Sequence, residues 1–440
     1  MKKISIMRCM GVFLLAVVLF ISLSRISLAD VSPGEVIDKS NWQKVQGLVP
    51  DQLLDFIKKG DWALNVATKL NFDTNRQTGF WVPHALEAFK TNLGRYDLDE
   101  NNLIIDVKTG KHPKFILGFP FPEIDPKDPK AAAKIMYNKE YMVYQLGYKH
   151  NSTIFRWIGR SGFERDVEII FHDAYLTGYP GAAKLPNPEG IERYTIISVV
   201  RPYDLAGTSV MLWRYLSLTR DVNFSYVPAI RRVRRTSPAS RSDAFVGSDF
   251  CVDDTIAYDG KIADFEWKLV GKQEGLIPFH STEPLRVFRN EKGELRVIDK
   301  EITPVRYGYQ EKGWAGAPWC PVSWVYVKRP LWIIEAKPKD PYYNYGIQYI
   351  WVDIEGNIPI YKLVNDRAGK FWKFVVMNVV GYQSDDKKIK FFGASDHVVV
   401  DVVRQHATCI GILNPGREMT FFKDLDLNDF SLAGFQKYCK

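Results

Sequence analysis

The feature that most constrains this chain is a set of strand-like runs that are apolar on both faces. Between 347 and 352, Ile347, Tyr349 and Trp351 fall on one side of an extended chain, and Ile350 and Val352 on the other. Between 371 and 377, Phe371, Val375 and Met377 alternate with Trp372, Phe374 and Val376. Successive side chains on a strand point to opposite faces, and an antiparallel sheet with one wet face alternates cleanly between apolar and polar. Here both faces need cover.

The turns between such runs are short. Met211 to Leu218 and Asn223 to Val227 flank Thr219-Arg-Asp221, Tyr349 to Ile354 and Pro359 to Val364 flank Glu355-Gly-Asn357, and Gly369 opens the next run. Runs joined so tightly pair antiparallel, because parallel neighbours need a crossover of about a dozen residues or more. The expected core is therefore a large antiparallel meander. Helical signals are few. Pro50 and Gly60 bracket an apolar stripe of Leu53, Leu54, Phe56 and Ile57, Pro83 to Leu93 repeats that design, Asp128 to Tyr144 is a third candidate, and the last twenty residues hold a short fourth. Three or four helices cannot cover both sides of a sheet of ten or more strands. A two-sheet sandwich resolves this, as does a curved sheet with an apolar concave cavity; composition leans to the sandwich. The segment from Pro113 to Pro129 contains five prolines around Phe119-Pro-Phe-Pro122 and reads as an extended crossing whose aromatics need burial.

Composition sets the class. With 46% hydrophobic and 25% charged residues the chain is an ordinary globular one, and its 14% aromatic content is heavy. Lys2, Lys3 and Arg8, the apolar run Met10 to Leu23, and Ser27-Leu28-Ala29 read as a secretory signal over residues 1–29. Removing it takes four basic residues and no acid from a formal charge of +8, leaving +4, which argues against a nucleic-acid partner. Residues 30–440 read as a single domain with a helical lead-in over about 33–93. Of the cysteines left, Cys251, Cys320, Cys409 and Cys439, an exported chain permits two disulfides, with neighbour pairing of Cys251 to Cys320 and Cys409 to Cys439, or four buried thiols.

Enzyme signatures mostly fail. His84, His112, His150, His172, His280, His397 and His406 show no metal-ligand spacing, and there is no Cys-x-x-Cys, so no metal or cofactor is expected. Ser161 in Gly159-Arg-Ser-Gly162 lacks the second glycine of a nucleophile elbow. Asp97 to Asn101 and Asp424 to Asn428 imitate calcium loops, but lack the glycine at position six and the glutamate at position twelve, where Lys108 and Phe435 stand. Arg231, Arg232, Arg234 and Arg235 form the dense basic cluster. They either meet an anionic headgroup or acidic partner at a cavity rim, or pair with Asp243, Asp249, Asp253 and Asp254 just downstream.

Several motifs in order carry a resemblance: Ile37-Asp-Lys-Ser-Asn-Trp42, Gly47-Leu-Val-Pro50, Gly118-Phe-Pro-Phe-Pro122 with Asn138 downstream, and Arg231-Arg-Val-Arg-Arg235 leading into Gly247-Ser-Asp-Phe250 with Asp253 and Asp254. Over nearly the whole chain after residue 29 it resembles an uncharacterised bacterial family, domain of unknown function 1329, and more widely the outer-membrane lipoprotein-sorting proteins. The resemblance implies the α+β, mainly β fold of the carriers LolA and LolB, a large curved antiparallel sheet forming an incomplete barrel wrapped around a few helices. This chain is much longer than those carriers.

The function so implied is a non-enzymatic periplasmic carrier or chaperone, peripheral to the outer membrane, for a lipid, a lipoprotein acyl chain or another hydrophobic molecule. A resistance-nodulation-type transporter or an outer-membrane protein is the implied partner. The alternatives are a structural outer-membrane-associated module that binds such a transporter, and an envelope-lipid hydrolase. On the carrier reading Trp213, Tyr215, Trp324, Tyr349, Trp351, Trp372 and Phe374 are the candidate cavity walls, each otherwise a core residue, and the arginines with Asp249 form the rim.

Overall fold

Pro50 and Gly60 bracket the first helix as expected. The computed structural model describes residues 31–74, 82–298, 302–412, 419–423 and 426–440. Strand β1 (Val36–Ile37) is followed by α1 (Asp51–Lys59), which buries Leu53, Leu54 and Ile57. Gly60 stops it in the left-handed region at φ 79°, where its N–H donates to the Ile57 carbonyl at 2.9 Å. Then come β2 (Leu64–Val66) and α2 (Pro83–Asn92), and β3 (Tyr96–Leu98) with β4 (Ile104–Asp106) forms a separate small ladder. The proline-rich crossing is extended and its aromatics are buried. The Asn92 side-chain amide donates to the carbonyls of Leu117 at 2.7 Å and Phe119 at 2.8 Å, while Asn138 holds both backbone groups of Phe121.

Helix α3 (Ala131–Tyr144) is buried on every side, as a helix inside a core must be. At its C-terminal end Gly178, at φ +94°, lies so close that a Cβ there would stand 2.5 Å from Tyr144 Cβ. Only glycine permits this approach.

The remaining strands make the sheet that encloses the helix: β5 (Lys149–Gly159), β6 (Gly162–Tyr175), β7 (Ile191–Arg201), β8 (Ser209–Tyr215), β9 (Val222–Val227), β10 (Arg232–Thr236), β11 (Phe265–Phe279), β12 (Leu285–Arg289), β13 (Leu295–Val297), β14 (Val325–Pro338), β15 (Gln348–Asp353), β16 (Ile358–Asn365), β17 (Phe371–Ser384), β18 (Lys390–Asp401), β19 (His406–Gly411) and β20 (Met419–Phe421). With β1 and β2 they form one 18-stranded sheet. Strands β17, β18, β19, β5, β20, β13 and β12 pair in succession, and β12 returns to β17, so seven strands close into a barrel. From β5 a meander continues through β6, β7, β8 and β9 to a free edge at β10. The C-terminal helix α4 (Leu432–Phe435) follows.

The expected antiparallel meander thus holds for the neighbours in sequence. Parallel pairs occur at the seams β11–β17, β12–β17 and β14–β2, which join strands far apart in the chain. Cover for the two-sided strands comes from two sources. Phe374 of β17 packs against Phe56 of α1 at 5.8 Å between ring centroids, while Val375 on the other face clusters with Phe245, Phe250 and Val252. Those last residues belong to an irregular strap, 238–257, built of tight 3-10 turns. Helix counting could not foresee it.

Candidate ligand-binding cavity

Period-two alternation puts Lys149, Asn151 and Phe155 of β5 on the inner face, with Phe171, Asp173 and Tyr175 of β6 and Arg193, Thr195 and Ile197 of β7. Register then sorts them into rows. Lys149 stands opposite Asp173, and Asp173 opposite Thr195; the next row is Asn151, Phe171 and Ile197. Polarity therefore falls along the strands. Helix α3 contributes Lys139 and Glu140 at the polar end and Met142 and Val143 beyond them, while Ala394, Ile410, Met419 and Phe421 close the apolar side. The space between these side chains is about 960 Å³, with the open solvent at its mouth included.

The polar end is a buried network of charges. Asp259 accepts from Arg241 at 2.8 Å and pairs with Arg193 at 2.7 Å, Arg241 reaches Asp253 at 2.6 Å, and Arg214 reaches Asp221 at 2.9 Å. Lys139 contacts Glu140 at 3.1 Å and donates to the Tyr258 carbonyl. Charges taken out of water need such partners. Burial pushes the Asp259 carboxyl up, but Arg193, Arg241 and Arg214 outweigh it and hold the carboxyl well below its usual range. Lys149 is served less well. Its nearest carboxylate oxygen, on Asp173, lies 3.9 Å away; burial lowers the Lys149 pKa and raises that of Asp173.

Among the described residues, other buried polar atoms along the cavity have no hydrogen-bond partner: both ring nitrogens of His397, Nε of Arg193 and Oδ1 of Asn151. Burial pushes the His397 pKa down to about 3, so its ring is neutral at pH 7. His172 lies elsewhere, 3.2 Å from His150 and 3.0 Å from the Tyr148 hydroxyl. Among the described residues no cluster suited to a metal ion is present.

The cavity walls are not the aromatics that the sequence nominates. Phe374 stacks on Tyr361 in the core, and Trp324 and Trp351 are buried there too. Tyr349 is half-buried on the sheet. Trp372 donates to Asp401 at 2.9 Å, and Trp213 donates to the Phe430 carbonyl at 3.0 Å under the C-terminal segment. Tyr215 lines a smaller cavity of about 500 Å³. Lys149, Phe155, Phe171, Arg193 and His397 were missed. For Lys149 and Arg193, as for Asp173, the signal was a charge on a strand face that turns apolar farther along; Phe155, Phe171 and His397 carry no such signal.

The arginine cluster is likewise placed otherwise than expected. Arg231 occupies the β9–β10 turn at φ 51°, and Arg232, Arg234 and Arg235 are exposed on the edge strand. No acid lies within ion-pair distance of the four among the described residues. Of the downstream acids, Asp249, Asp253 and Asp254 turn inward with the strap, while Asp243 stays exposed. Asp249 receives Thr408 at 2.9 Å, His406 at 2.5 Å and Arg404 at 3.3 Å, Asp253 takes Arg241, Asp254 takes Lys362, and Asp243 accepts from Asn344 at 2.6 Å. The rim expected of these arginines with Asp249 does not form, and none of the four lines the cavity.

The cysteines are free thiols, correcting the neighbour pairing. Cys439 packs with Phe435 and Tyr148 in the C-terminal cluster, whereas Cys251, Cys320 and Cys409 belong to the main core, so at least the second pair is separated by packing. The secretory signal over residues 1–29 lies outside the described residues. So does part of the acidic stretch 424–428, while in the other stretch Asp99 accepts from the backbone of Asn101 and Leu103 as an ordinary turn.

Comparison with curated proteins finds no match. Among solved structures, the chain is similar to a domain of Vibrio parahaemolyticus described as outer membrane lipoprotein-sorting, at 15% identity over 69% of this chain and 97% of that one, with a TM-score of 0.45. A DUF1329 family protein from Desulfovibrio piger is 15% identical over 70% of this chain and 100% of that one, TM-score 0.45. A LolA superfamily protein of Nitrosomonas europaea is 9% identical over 67% and 97%, TM-score 0.37. The model of one family, described as protein of unknown function (DUF1329), matches residues 36–435, and the chain belongs to that family.

Proposed function

We propose that this protein is a carrier for a hydrophobic molecule with a polar end. The observation that carries the reading is the cavity beside α3, apolar along one stretch and lined by charged groups at the other. Each methylene moved out of water contributes about 0.8 kcal/mol, so about ten of them supply roughly 8 kcal/mol before ordering costs are subtracted. Affinity of that size needs no catalysis.

The periplasm as the site of action rests on the signal read in residues 1–29, and delivery toward the outer membrane, with a resistance-nodulation-type transporter as partner, on the family resemblance. A hydrolase finds less support. Neither His172 nor His397 hydrogen-bonds to a carboxylate among the described residues. A second reading, docking to an acidic partner, is favoured by the free edge of β10 and its exposed arginines.

The carrier reading is tested by incubating the protein with donor vesicles that hold a fluorescent single-chain lipid and separating the two. Saturable extraction into the protein fraction, reduced by Ala394→Phe in the cavity wall, is the expected result. Lipid that stays wholly with the vesicles would sink the idea.

A further inference from the structure

Resting on the carrier reading, we infer that the ligand's polar end is an oxygen anion, a carboxylate or phosphate, seated among Lys149, Arg193 and His397, with its chain along Phe171, Ile197 and Phe421. The polar end of the cavity holds unspent donors. The acids at this end are already engaged: Asp259 by Arg193 and Arg241, Glu140 by Lys139, Glu192 by the Tyr144 hydroxyl at 2.8 Å, and Asp173 by the Thr195 hydroxyl at 2.8 Å.

What is left over consists mainly of donors. The Lys149 ammonium has three N–H groups and a carboxylate no nearer than 3.9 Å. Among the described residues Arg193 Nε has no partner, and the neutral His397 ring offers one N–H and one acceptor, both without partners. Buried polar groups left unpaired cost free energy, and an incoming anion satisfies several of them together. It also gives Lys149 the close opposite charge that Asp173 does not supply. Asn151 Oδ1, a second unpartnered acceptor beside that of His397, suits a hydroxyl on the same head or the Lys149 ammonium itself.

The row order fixes the direction of the chain. Lys149 and Asp173 form one row, Asn151, Phe171 and Ile197 the next, and Met419 pairs with Asn151 from the other side. A chain leaving the polar row therefore runs directly onto apolar side chains.

The test uses three probes of equal chain length, decanoate, decyl phosphate and decanol, titrated calorimetrically into lipid-stripped protein. An ionised hydrogen-bond acceptor facing an ammonium should be worth about tenfold or more in affinity. Both or either anion binding at least tenfold tighter than decanol supports the inference, and the tighter one identifies a fatty-acid or a phosphate head. Lys149→Met should remove that advantage and leave decanol within about twofold. Equal binding of all three overturns the headgroup inference and leaves the carrier reading standing. Binding of none overturns the carrier reading as well. The three-probe comparison on the unmodified protein needs no variant to fold.

Discussion

Lys362 of β16 and Asp254 of the strap form an ion pair at 2.5 Å with both side chains wholly buried. Asp254 also accepts from the Tyr345 hydroxyl at 2.8 Å and from the Cys251 backbone at 3.0 Å. This anchor matters to the cavity because Phe250, Thr255 and Ile256 of the same strap line it. Lys362→Met should leave Asp254 buried with less compensation and cost about 3–5 kcal/mol, read as a fall in the urea midpoint. A loss below about 1 kcal/mol would mean that the strap is not held by this pair.

Acid should destabilise the fold through its buried imidazoles. Burial pushes His397 down to about 3; burial and then His150 push His172 to about 3, against an ordinary value of 6.5. Between those limits the unfolded chain binds more protons, so their contribution is complete above about pH 6.5 and is lost as pH falls toward 3. Each contributes a slope of about 1.4 kcal/mol per pH unit in that window. Denaturation midpoints measured from pH 7 to pH 4 should show it, and His397→Gln should flatten the curve.

Thiol chemistry checks the cysteine assignment. Burial raises the pKa of all four thiols, Cys439 to about 11. Protein lacking residues 1–29 should react negligibly with a thiol reagent when native and release four thiols when unfolded without reductant. Fewer than four would reinstate a disulfide.

The edge hairpin should be separable from stability. Arg232→Glu with Arg234→Glu alters exposed side chains that have no ion-pair partner among the described residues, so the thermal midpoint should change little, within about 0.5 kcal/mol. Loss of a copurifying acidic partner in that variant would support the docking reading; an unchanged partner set would argue against it.

Much of the fold was legible because local signals agreed with it. Pro50 and Gly60 mark the ends of α1, Pro83 the start of α2, and the Glu355-Gly-Asn357 turn joins β15 to β16. The two-faced apolarity of β17 correctly demanded cover on both sides. The strap was not legible, because tight 3-10 turns leave no periodic pattern. Nor was the cavity, because the aromatic residues that stand out in sequence, such as Trp324 and Phe374, fill the core, while the space is set by register between β5, β6 and β7. The arginine–aspartate pairs failed for the same reason: nearness in sequence says nothing about which way a strap turns.

The central claim is that the cavity beside α3 holds an amphiphile, and native mass spectrometry of protein purified from its own cell envelope tests it most directly. The account predicts a mass excess of one single-chain lipid, released on unfolding and diminished in Ala394→Phe. Protein that repeatedly carries no added mass, and takes up none when offered decanoate, would contradict it.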